Sequence, residues 1–156
     1  MIKKKRKEII EILDRFYDAE WLRKMWRGKG FLTGVDIISS ELEDDDKKYA
    51  ILMGNYLSRN QMATWAQDCA SVVLDLCHSI ANPSRLAWDS ASESINEANS
   101  VAKAGELYDV KAHTMGAALS AIRVAGLTGH AEGVKKEQER QFDCLRKILE
   151  ETTNDQ

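Results

Sequence analysis

Proline occurs once in 156 residues and glycine only nine times, so little interrupts the long Ala-, Glu- and Lys-bearing segments, and the expectation is an all-α chain. Cysteine is as scarce. Cys69, Cys77 and Cys144 cannot pair off completely, there is no CxxC, and Cys69 and Cys77 would lie about 12 Å apart along one helix at 1.5 Å per residue, too far for a disulfide. They read as small buried thiols in a reducing compartment. No apolar window approaches the length that spans a membrane. The opening MIKKKRK resembles the basic start of a signal peptide, but Glu8, Glu11, Asp14 and Arg15 interrupt what would be its apolar segment. The expectation is therefore a cytoplasmic protein with no membrane contact. The metal-helix spacings HExxH and Glu-x-x-His are missing, and Gly28, Gly30 and Gly34 match neither the phosphate loop nor the dinucleotide fingerprint. No metal and no cofactor is expected.

What is present is an ordinary globular balance, 44% hydrophobic and 30% charged, enough for one domain with a real core. Within a net charge of -3 the signs are segregated. Residues 1–30 carry 10 Lys and Arg against 5 Asp and Glu, whereas residues 31–100 carry 4 against 11. The net sign argues against general nucleic-acid binding. The basic run from Lys3 to Lys7 would sit at a helix start, where the macrodipole disfavours positive charge, so these residues are expected to fray as a solvated tail.

Ser58–Ala81 is the stretch on which the chain is organised. Thr64, Gln67, Asp68, Ser71, Asp75, His78 and Ser79 recur in steps of three and four as one narrow polar stripe on an otherwise apolar helix. Ser58 with Gln61 forms a capping-box start. Trp65, Cys69, Val73, Leu76 and Ile80 are the expected core, with Trp88 as an anchor from the next helix. That next helix has Asn82-Pro83 as its start signal and Gly105 as its left-handed cap. A second buried helix follows over 106–125, closed by Gly126, and a last one is capped by Thr128. Residues 4–27 are amphipathic with a break near Asp18. The predicted architecture is a helical bundle: a helical extension over 1–45, a core of antiparallel helices over 46–151 and a disordered tail over 152–156.

Two groups of polar residues invite a functional reading. Glu41, Glu43, Asp44, Asp45 and Asp46 precede a helix and would charge-stabilise its start; beyond that need they could face a basic partner. Asp109, His113, Ser120 and Arg123 share one helix face. Asp109 and His113, at i,i+4, could orient an imidazole beside a cation, so a small enzyme or ligand-binding bundle is one alternative. The bland reading of that stripe is a solvated or interhelical polar edge.

Trp65-Ala66-Gln67-Asp68-Cys69-Ala70 with Val73-Leu74 resembles the opening motif of a family of small helical bacterial immunity proteins, which protect a cell from a companion toxin. Pro83 and Arg85, Gly105-Glu106, Ala112-His113, Arg123-Val124-Ala125-Gly126 and His130-Ala131 follow in the family's order, so that the match covers roughly residues 62–134. The resemblance implies a non-enzymatic binder that neutralises a toxin encoded nearby. A mobile-element inhibitor or regulator of some other host protein or nucleic-acid machine is the remaining alternative.

Overall fold

The computed structural model describes residues 1–151; the tail expected over 152–156 lies outside them. The chain is an all-α helical bundle with one short β-ribbon. In order it forms β1 (Lys3–Lys5), α1 (Arg6–Leu13), α2 (Ala19–Met25), β2 (Phe31–Thr33), α3 (Gly34–Ile38), α4 (Asp44–Met53), α5 (Arg59–Ala70), α6 (Val73–His78), α7 (Arg85–Lys103) and α8 (Leu107–Glu151). It divides into two compact units, Arg59–Leu145 and Met1–Ser58, the latter joined by the last turns of α8 from Arg146 on.

In the first unit the basic run does not fray. Lys3, Lys4 and Lys5 pair antiparallel with Thr33, Leu32 and Phe31, so their backbone groups are hydrogen-bonded and only the side chains remain in water. The chain breaks at Asp18 as expected, where the carboxylate accepts the Trp21 amide at 3.0 Å and caps α2. Gly28 turns the chain toward β2 with φ +83°, a conformation that costs glycine least. A capping box between Thr33 and Asp36 starts α3. The core of this unit is Ile9, Leu13, Leu22, Leu32, Ile37, Ile51 and Tyr56, none of them exposed.

Tyr56 donates its hydroxyl to the Leu32 carbonyl at 2.9 Å. Burial, helped by the nearby charges of Asp36 and Glu8, pushes the pKa of its phenol well above the ordinary value of 10.0. In the unfolded chain the phenol ionises near pH 10; in the folded chain it stays neutral. Its contribution to stability is thus complete below pH 10 and is lost as pH rises through the folded value. Urea melts of the wild type should weaken steeply above about pH 10, and Tyr56→Phe should flatten that decline while costing about 1 kcal/mol at neutral pH. An unchanged alkaline slope in Tyr56→Phe would contradict the assignment.

The second unit is a set of antiparallel helices, and the side-chain contacts fix the directions. Gln67 with Asn99 and Arg59 with Ala104 run α5 against α7; Ser94 with Ala117 and Glu97 with His113 run α7 against α8. Within α8 itself, Gln141 Nε2 donates to the Ala118 carbonyl at 3.1 Å. Those residues would lie about 35 Å apart on a straight helix, so the chain must reverse. It does so at His130, whose φ of 55° and ψ of -148° are non-helical. A Cβ on Gly133 would sit 2.4 Å from the Ala125 carbonyl oxygen, which shows how tightly the two arms meet. Gly133→Ala should therefore destabilise the protein by about 1–3 kcal/mol in thermal melts. His130→Gly should raise the melting temperature instead, by relieving a backbone region that is nearly glycine-only.

The expected helix over 58–81 forms in two pieces, with a turn at Ser71-Val72 between α5 and α6. The Ser71 hydroxyl bonds back to the Asp68 carbonyl at 2.6 Å and its amide to the same oxygen at 3.2 Å, a local alternative to the helical ladder. Trp65, Cys69 and Val73 are fully buried. The rotation after the turn leaves Leu76 and Ile80 partly exposed and Leu74 46% exposed. Leu76 and Trp88 pack against the cluster of Val73, Cys77, Ala87, Ala91, Ala121 and Val124. Ser84, not Asn82, caps α7, and its C-cap Ala104 is extended, so that Gly105 adopts no left-handed conformation. Gly126 stays helical, and Thr128 donates back to Val124 at 2.8 Å instead of capping a new helix.

Candidate partner-binding surface

The two polar groups expected from sequence meet different fates. Of the stripe on α8, Asp109 is exposed and Ser120 is buried. His113 turns away from Asp109: its Nδ1 lies 2.6 Å from Glu97 Oε2 on α7, both side chains about one-third exposed. Gly116 makes the room for this, because a Cβ there would sit 2.8 Å from that carboxylate. Arg123 pairs at 3.4 Å with Glu93, one turn earlier on α7, with both partners more than half exposed. Carboxylates do arrive from a neighbouring helix, but as two separate polar pairs along the α7–α8 seam. Such wet pairs contribute at most about 1 kcal/mol each; they fix register.

A stronger polar network, unread in the sequence, lies within the second unit. Arg140 donates to Asp68 at 2.8 Å, to the Asp68 carbonyl at 3.1 Å and to Glu137 through Nε and Nη2 at 2.7–3.2 Å. Glu137 is 5% exposed and also accepts from Gln141 at 3.2 Å. The Gln141 carbonyl in turn accepts from Trp65 Nε1 at 3.2 Å. Burial opposes the charge on Arg140, yet the bond to Glu137 and the charges of Glu137 and Asp68 outweigh it and hold the guanidinium above its ordinary range. The network ties α5 to both arms of α8. Cys69 and Cys77 are buried and outside any disulfide, and burial pushes the Cys77 thiol up, away from reactivity.

The acidic residues behave differently. Asp44, Asp45 and Asp46 form the first turn of α4 itself, where their charge complements the macrodipole. Glu43 occupies the cap position without a side-chain cap bond. Glu41, Glu43, Asp44 and Asp45 are exposed and Asp46 half-buried. Lys47 approaches Asp44 only to 3.9 Å. The turn is held by an aromatic residue. Tyr17 donates its hydroxyl to Asp46 Oδ2 at 2.6 Å and accepts the Glu43 amide at 3.0 Å. Burial, then the bond to Asp46, raises the pKa of the Tyr17 phenol above its ordinary value. Its ring stacks on Trp21, centroids 5.4 Å apart and 11° from parallel. Trp21 is 37% exposed, and Phe16, 54% exposed, meets Tyr49 edge-on at 5.6 Å. Exposed aromatics thus lie beside exposed carboxylates on this face.

Among the described residues no group of three or more His, Cys, Asp and Glu is placed to hold a metal ion, and no helix is long and apolar enough to cross a membrane. Fold and surface together define an all-α bundle carrying a charged aromatic patch. No family model, curated protein or solved structure matches the chain.

Proposed function

We propose that this chain is a cytoplasmic binding protein of the immunity-protein kind, which neutralises a cationic toxin by covering part of its surface. The observation that carries the reading is the Tyr17 hydroxyl. It pins the acidic turn through Asp46 and the Glu43 amide while the ring stacks on exposed Trp21. Carboxylates and aromatic anchors are thereby held in one pre-organised patch, which lowers the entropy lost on binding. Glu43, Asp44 and Asp45, beyond what the helix start needs, supply steering for a basic partner.

The ordered motifs over residues 62–134 support the same reading. In the second unit these residues hold the fold: Asp68 anchors Arg140, His113 meets Glu97 and Arg123 meets Glu93. In the alternative enzyme built on Asp109, His113, Ser120 and Arg123, the carboxylate beside the imidazole is Glu97 and not Asp109, and Ser120 is buried, so the four residues do not act as one set. Co-expression with a toxin-like protein encoded beside this one tests the proposal. Growth should be rescued and a complex recovered. Failure of both would overturn it.

A further inference from the structure

The basic N-terminus, folded into a ribbon, builds a surface of opposite character in the same unit. A groove of about 620 Å³ is lined by Lys5, Arg6, Lys7 and Arg23 over Ile10, with Phe31 at its edge. A second groove, of about 260 Å³, is lined by Arg6, Arg23, Lys24 and Arg27 with Glu20. Because Arg6 and Arg23 line both, the two adjoin in one cationic track. Arg6 is held by its bond to the Trp26 carbonyl at 3.2 Å. Among the described residues Lys3, Lys5, Lys7, Arg23, Lys24 and Arg27 form no ion pair within 4.0 Å. Glu11 and Asp14 lie in the larger groove, so the positive charge is concentrated toward the ribbon and α2.

Lys5 and Phe31 are directly opposed across the ribbon, which puts both side chains on one face, together with Lys3 two residues along. Phe31 is 56% exposed, whereas Leu32 beside it is fully buried. An ammonium next to a free aromatic face, continuous with a guanidinium track, matches alternating phosphate and base. We propose that this face binds single-stranded nucleic acid: phosphates run along Lys5, Arg6, Arg23, Lys24 and Arg27, and a base stacks on Phe31. A lone phosphate would use one groove; a strand fills both. The acidity of the whole chain does not oppose this, because screening limits the reach of the α4 carboxylates to about 8–10 Å at moderate salt.

Fluorescence anisotropy with a labelled single strand of about twelve nucleotides tests the proposal on the full chain. Binding should appear at low salt and weaken with a log–log slope near -0.7 per neutralised phosphate. Arg23→Ala/Lys24→Ala/Arg27→Ala should lower the slope by about 2, and Phe31→Ala should weaken binding about tenfold with the slope unchanged. All four residues are exposed, and circular dichroism checks that the variants fold. The proposal is overturned by no binding at about 50 mM salt or by equal affinity for a hairpin duplex. It is equally overturned if Phe31→Ala binds as the wild type does, or if polyglutamate competes as well as the oligonucleotide.

Discussion

Arg140→Met should destabilise the protein by about 2–3 kcal/mol in urea melts followed by circular dichroism. The figure falls below the 3–5 kcal/mol typical of a broken buried pair because the Arg140 side chain keeps 31% of its surface in water. The loss comes chiefly from what is left behind. Glu137 is 5% exposed, and without the guanidinium its charge retains, among the described residues, the Gln141 amide at 3.2 Å. Met matches the aliphatic length of Arg, so packing changes little. Arg140→Met/Glu137→Leu should then recover at least half of the stability, since removing both charges leaves none stranded. A single variant costing under about 0.5 kcal/mol, or a double variant no better than the single, would show that the network does not hold α5 to α8.

The second large effect concerns binding. Trp21→Ala should weaken the proposed complex with a cationic toxin by at least about 2 kcal/mol, roughly thirtyfold in Kd. Trp21 offers a large rigid face, stacked on Tyr17, whose own hydroxyl is committed to Asp46 and Glu43. Little side-chain freedom is therefore lost when a partner covers it. Glu43→Gln/Asp44→Asn/Asp45→Asn should act on a different rate. Association should slow and lose salt dependence while dissociation changes less, because rim charges work mainly on encounter. The helix start loses favourable charge as well, so stability is measured alongside.

Much of the fold is legible in the sequence, because side-chain period and capping are local. The break at Asp18 and the start of α5 after Ser58 follow from residues within one turn. Features decided by competition or by distant contact are not legible in that way. Ser71 reads as one more member of a polar stripe, yet its bonds to Asp68 end α5. Gly126 reads as a stop, but Val134 packs over it, 3.1 Å from where a Cβ would stand, and the reversal falls to His130. The Lys3–Lys5 strand has no apolar alternation to reveal it; its partner is some 30 residues away.

The site divides in the same manner. The carboxylates at 41–46 are visible as a run of like charge. Phe16 and Tyr17 look like part of an apolar helix face, and only the turn at Asp18 brings Tyr17 against Asp46 and Trp21. Exposed aromatics flanking a helix break are the signal that could have found them. The Asp109–His113 spacing is genuine helical geometry, but the nearer carboxylate comes from Glu97 on another helix, which single-helix spacing cannot show.

Hydrogen exchange of the chain, alone and mixed with the proposed partner, a cationic toxin sought among the neighbouring genes, tests the proposed partner surface most directly. Amides over 16–21 and 43–49 should slow on binding, as the patch around Tyr17 and Trp21 is covered. Protection confined to Arg59–Leu145, with those two segments unchanged, would contradict the account.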